Sequence, residues 1–100
     1  MTLNPKFMPQ NHPTWTQTNN SLQKTYEFKG FPDAIHFMHQ TAPAIEELGH
    51  HPEWTNVYNR VMVRLTTHDA GHTVTPKDWE LAKVLDSHYE AFVGNQPRIK

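Results

Sequence analysis

The sequence predicts an α+β fold: a four-stranded antiparallel sheet with two main helices packed on one face, in the order β-β-α-β-β-α. Three observations carry this reading. Two runs of alternating or β-branched and aromatic residues each contain turn chemistry and read as hairpins. Two longer segments repeat apolar residues at a period near 3.6 and carry helix start and stop signals. A chain of 100 residues with no cysteine has room for one core, held by apolar burial alone.

The elements follow in chain order. Residues 1–13 carry Pro5, Pro9 and Pro13 with little periodicity, and read as an irregular N-terminal arm ahead of a single domain over 14–100. From 14 to 28 the chain alternates, with Trp15 and Gln17, then Leu22, Thr25 or Tyr26, and Phe28 placed around the turn residues Asn19, Asn20 and Ser21. The next segment, 31–48, has Phe31, Ala34, Ile35, Met38, Ala42, Ile45 and Leu48 as one apolar stripe. Pro32 and Asp33 suit the start of that helix and Gly49 its end, while Pro43 predicts an irregularity near 39–43. A second hairpin or a bent strand pair spans 54–65, broken at Asn59 and Arg60, with Val61, Val63 and Leu65 facing the core. Parity then places His68 on the opposite side, with Met62, Arg64 and Thr66. Thr75 as N-cap, Pro76 at the first helical position and Asp78 in the capping-box place open the last helix. Leu81, Ala82, Val84, Leu85, Tyr89 and Phe92 supply its apolar side, and Gly94 ends it.

Composition narrows the function. A hydrophobic fraction of 36%, with 11% aromatic, is enough to seed a core and argues against disorder. A formal net charge of -1 argues against a broad basic face for nucleic acid. The first ten residues hold no apolar run of signal-peptide length, and no window approaches the ~20 apolar residues that span a bilayer. The cytoplasm is the expected compartment, with no membrane partner. Without cysteine there is no thiolate nucleophile, thiolate metal site or iron–sulfur ligand set.

Histidine, at 8 of 100, is the unusual component. His50 and His51 are adjacent just past a helix end, with Glu46 and Glu47 one turn earlier, and His68 follows a strand. Imidazoles in loops at hydrogen-bond reach of one another suit general acid and base work near neutral pH. A zinc site from His50, His51, His68 and a carboxylate is the competing reading, weakened because the usual zinc spacings are absent. His68 and His72 have the i, i+4 spacing of a metal pair, but that spacing aligns ligands only on a helix, and Asp69, Ala70 and Gly71 read as loop. His36 and His39 read as helix-surface residues, and His12 and His88 carry no partner pattern.

The run Glu46-Glu47-Leu48-Gly49-His50-His51-Pro52-Glu53-Trp54, then Asn56-Val57-Tyr58-Asn59, Leu65-Thr66-Thr67-His68-Asp69 and finally Asp78, resembles the signature of pterin-4a-carbinolamine dehydratases. The likeness extends to Trp15, to Tyr26-Glu27-Phe28-Lys29-Gly30-Phe31 and to Leu81-Ala82 with Asp86, so it covers roughly 14–92. The resemblance implies a four-stranded antiparallel sheet with helices on one face, in a homodimer or homotetramer. It implies removal of water from a 4a-hydroxytetrahydropterin to give the quinonoid dihydropterin, in recycling the tetrahydropterin cofactor of aromatic amino acid hydroxylases. It implies a small-molecule pterin substrate, no metal, no organic cofactor and no direct nucleic-acid contact. His50, His51 and His68 are then the catalytic histidines, with Glu46, Trp54 and Asp78 binding substrate.

The chain departs from the family pattern in two informative places. A second glycine commonly follows the third histidine in the family, whereas here Gly71 is followed by His72. Lys77 stands beside Asp78 where some relatives carry arginine. Two other functions remain as rivals: a non-catalytic dimerisation partner of a transcription factor, and a related pterin-binding protein, for example in molybdopterin metabolism. Retention of all three histidines favours the enzyme.

Overall fold

A computed structural model describes residues 15–18 and 20–94. The arm expected over 1–13, and His12 within it, lie outside the described residues. The elements are β1 (Thr16–Gln17), β2 (Leu22–Glu27), α1 (Phe31–Leu48), β3 (Glu53–Val57), β4 (Arg60–Leu65), a 3-10 turn (His68–Ala70) and α2 (Pro76–Gly94). The strands form one antiparallel sheet in the order β1-β2-β4-β3, so the expected fold is the observed one.

The first hairpin closes through the Thr18 N–H, which donates to the Ser21 carbonyl at 2.8 Å. The second turns at Tyr58 and Asn59, one residue earlier than the sequence suggests, with Tyr58 in left-handed backbone at φ 52. Asn56 stabilises that turn by donating its amide to the carbonyls of Tyr58 and Arg60 at 3.1 and 2.9 Å. Register sets the two faces of the sheet. Leu22, Tyr26, Val61, Val63 and Leu65 lie on the buried side, while Arg64 pairs with Glu53 and Arg60 with Glu27 on the open side. Both pairs are exposed, so that face is solvated by balanced charge and adds little stability.

Helix α1 lies over the sheet on a stripe that shares Ala34, Met38, Ile45 and Leu48 with the one the apolar spacing suggests, but is turned toward Phe37 and Thr41. Ala34, Phe37, Thr41 and Ile45 are buried, whereas Phe31 and Ile35 are 48% and 40% exposed and Ala42 is exposed. Phe37 is the central member: its ring packs on Tyr26 at 5.3 Å and on Phe28 at 5.2 Å between centroids. Thr41 enters the core because its hydroxyl donates to the Phe37 carbonyl at 2.7 Å, leaving its methyl for packing. The helix is continuous from 31 to 48, with no interruption at Pro43. Pro43 is exposed, so its ring has solvent on the side away from the sheet.

Helix α2 buries Asp78, Leu81, Ala82 and Leu85 and adds Tyr89 and Phe92 to the aromatic cluster. It is tied to the sheet by Asp86. That carboxylate accepts the Trp15 indole N–H at 3.0 Å, the Lys24 ammonium at 2.7 Å and the Tyr26 hydroxyl at 2.6 Å. Burial, followed by the Asp86 hydrogen bond and charge, pushes the Tyr26 phenol well above its ordinary range, so it remains the donor. Among the described residues no helix is long and apolar enough to cross a membrane.

A buried aspartate and three engaged histidines at the candidate active site

The site is assembled where the end of α1, the end of β4 and the start of α2 meet. Gly49 ends α1 in left-handed backbone at φ 74, with its N–H bonded to the carbonyls of Ile45 and Glu46. The chain thereby leaves the helix, and the two following imidazoles diverge. His50 places Nε2 2.6 Å from Oδ1 of Asp78 on α2, and His51 places Nε2 2.9 Å from Oε1 of Glu46 on α1. An ionised carboxylate only accepts, so both rings carry the proton on Nε2 and keep Nδ1 as the other nitrogen.

The two pairs sit in different surroundings. Asp78 is fully buried and the His50 side chain is 13% exposed, whereas Glu46 and His51 are both largely exposed. Solvent screens the outer pair, so it orients His51 without adding much stability.

Asp78 is held by local and distant groups together. It occupies the capping-box position of α2, and its Oδ2 accepts the Thr75 backbone N–H at 2.9 Å. The same oxygen accepts the Thr67 hydroxyl at 2.8 Å, and Thr67 and Thr75 hydroxyls are 2.7 Å apart. Thr67 has one proton and donates it to the carboxylate, so Thr75 is the donor to Thr67. Burial alone pushes the Asp78 carboxyl up. The hydrogen bonds from His50, Thr75 and Thr67, with the His50 charge, outweigh burial and hold it below its ordinary value.

This has a consequence in acid. A carboxyl whose folded value is depressed stabilises the fold fully above its unfolded value, near 3.8, and that contribution is lost as pH falls through the lower folded value. Urea titrations from pH 6 to pH 2 are expected to show stability falling below pH ~4, with a shallower fall in Asp78→Asn. Equal slopes for the two proteins would contradict this account.

His68 opens the 3-10 turn immediately after Thr67 and is exposed. Its Nδ1 lies 2.7 Å from Nε2 of His72. The parity argument that placed His68 beside Thr66 does not apply, because β4 stops at Leu65 and both Thr66 and Thr67 are buried. Trp54, half-buried on β3 opposite Val63, lines an open groove of about 490 Å3 with His39, Pro43, Glu46 and His51. The chain thus brings Glu46, His51 and Trp54 to one groove and joins His50, Asp78 and Thr67 in one buried network. Among the described residues no direct hydrogen bond links His68 to His50 or His51; its chain neighbour Thr67 is the residue that bonds to Asp78 beside His50. Among the same residues no three or more His, Asp and Glu side chains converge as a metal-binding group. Tyr58, part of the sequence signature, is 65% exposed at the hairpin tip.

Sequence reasoning missed Thr67 and the pairing of His72. The Thr75 to Asp78 capping spacing was a usable signal for Asp78, but nothing local marks Thr67 as its second donor.

The family model for pterin 4 alpha carbinolamine dehydratase matches residues 3–88. The chain belongs to this family. Among its relatives, a protein of Opitutus terrae, provisionally named pterin-4-alpha-carbinolamine dehydratase, is 55% identical over 69 residues, 69% of this chain and 71% of that one. A protein of Sulfolobus acidocaldarius with the same provisional name is 43% identical over 72 residues, 72% and 78% of the two chains. In structure, the family member from Brucella melitensis described as a transcriptional coactivator/pterin dehydratase is similar at a TM-score of 0.70 and 38% identity, over 75% of this chain and 81% of that one. A pterin dehydratase-like protein described as a RuBisCO assembly factor of the alpha-carboxysome shares the fold at a TM-score of 0.59 and 20% identity, over 87% and 98% of the chains.

Proposed function

We propose that the chain dehydrates a 4a-hydroxytetrahydropterin to the quinonoid dihydropterin, with His50, His51 and His68 carrying the proton transfers. The observation that carries this reading is the network around Asp78. A buried carboxylate, satisfied by Thr67, Thr75 and His50, orients a largely buried imidazole in a chain that belongs to the pterin dehydratase family. A structural role alone would not require a titratable ring as the third partner of a carboxylate that two threonines already cap.

The reaction needs two proton movements. The C4a–O bond breaks as a proton reaches the leaving hydroxyl, which departs as water. N5 loses its proton, and its electrons form the C4a–N5 double bond. One imidazole donates and another accepts, and Nδ1 of His50 and His51 is the nitrogen left for substrate once Nε2 is engaged. Glu46 and Asp78 hold the tautomers, and the Trp54 ring offers a flat surface at the groove for the bicyclic substrate.

The deciding experiment is a stopped-flow assay of the wild-type protein on freshly generated 4a-hydroxytetrahydropterin. Acceleration above the spontaneous rate, undiminished after exhaustive chelation, is the expected result. No acceleration would replace the enzyme by a binding protein, and loss on chelation with recovery on zinc would replace proton transfer by metal chemistry.

A further inference from the structure

Each of the three site imidazoles has one ring nitrogen engaged, and the partner differs in kind. His50 and His51 face carboxylates, whereas His68 faces a second imidazole. The His68 and His72 rings stand edge to face, with centroids 4.5 Å apart and planes at 81°. The backbone holds them there. Thr67 and Thr73 form an antiparallel bridge, the Thr67 N–H donates to the Thr73 carbonyl at 2.9 Å, and the His72 N–H returns to the Thr67 carbonyl at 3.0 Å.

Gly71 and His72 both adopt left-handed backbone, at φ 83 and φ 58, and this reverses the chain so that His72 lies against His68. Glycine enters that region freely, and a side chain does so at a steric cost. An imidazole held at a strained position, with its ring turned onto a neighbouring imidazole, calls for a role that glycine would not fill.

We propose that His72 is a positioning residue for His68, occupying its Nδ1 so that Nε2 faces the substrate and can either donate or accept a proton. The inference rests on the dehydratase reading above. A carboxylate partner only accepts, so it commits its histidine to one tautomer, while an imidazole partner does both. When His72 donates from Nε2, His68 carries its proton on Nε2 and is the acid. When His72 accepts at Nε2, His68 carries its proton on Nδ1 and its Nε2 is the base. The two states interconvert with balanced protons. His68 Nε2–H passes to the leaving hydroxyl, His72 Nε2–H passes to His68 Nδ1, and His72 takes a proton at Nδ1 from water, whose hydroxide is neutralised by the proton that N5 releases through the accepting imidazole. Both rings are neutral before and after, and the net transfer is one proton from solvent to the departing water.

The test uses His72→Gly, which suits the backbone at this position and removes the ring, and His72→Gln, which keeps a side chain able to reach His68. Turnover of 4a-hydroxytetrahydropterin and the ring nitrogen chemical shifts of His68 are read for both. His72→Gly is expected to lower kcat by about 10- to 100-fold, the scale seen when the outer partner of a metal-ligating histidine is removed, with KM unchanged. The His68 ring shifts should report a changed tautomer population, and His72→Gln should recover part of the lost kcat. Wild-type kcat in His72→Gly, or His68 ring shifts identical to wild type, overturns the proposal. If the wild-type protein fails to dehydrate the pterin, the dehydratase reading falls, and the ring shifts alone then decide whether His72 sets the His68 tautomer.

Discussion

Alanine in place of His50 or His68 is expected to lower pterin dehydration by two or more orders of magnitude, within the ~10²–10⁴ range of general acid and base groups. The two variants are informative for different reasons. His50 is bound to a fully buried carboxylate, so His50→Ala removes one of its donors and perturbs the fold as well as the chemistry. His68 is exposed and bonded to another exposed residue, so His68→Ala should unfold at the wild-type temperature. A large loss of turnover in His68→Ala with an unchanged melting curve therefore isolates the chemical contribution. Wild-type turnover in both variants would remove the histidines from the mechanism.

Asp78→Ala is expected to destabilise the protein by about 3–5 kcal/mol, because each buried donor left without its acceptor costs about 1–3 kcal/mol. The carboxylate is fully buried and accepts from His50, from the Thr67 hydroxyl and from the Thr75 backbone N–H. Deleting it opens a cavity and leaves those three donors without their acceptor at the point where α2 begins. Against a typical total of 5–15 kcal/mol, such a loss is a large share of the stability. Urea unfolding monitored by tryptophan fluorescence measures it. A change below about 1 kcal/mol, the net value of one ordinary hydrogen bond, would show that the network does not hold the turn.

The fold was legible because its signals are local. Pro32 with Gly49, Thr75 with Pro76, and the alternation of Val61, Val63 and Leu65 each follow from backbone preferences within a few residues. The face of α1 was less legible. Of the expected stripe, Ala34 and Ile45 are buried and Phe31, Ile35 and Ala42 are exposed, while Phe37 and Thr41, outside that stripe, complete the buried face. An apolar count passes over Thr41, whose hydroxyl is satisfied within the helix so that its methyl is free to pack. Pro43 deletes a backbone donor and predicts an irregularity near 39–43 within one helix, and the helix runs from 31 to 48 with Pro43 exposed.

By itself the sequence determined the order of elements, the helix limits and the set of loop histidines, since these depend on residue type and short-range spacing. Only the tertiary structure decided the partners. His50 meets Asp78 across 28 residues of chain, and Asp86 meets Lys24 across 62 and Trp15 across 71. Such pairs depend on where α2 lies against the sheet, which no local pattern encodes. His72 shows the same limit at short range. Its spacing from His68 was plain in the sequence, but two successive left-handed residues and the Thr67 to Thr73 bridge turn that spacing into a hydrogen bond.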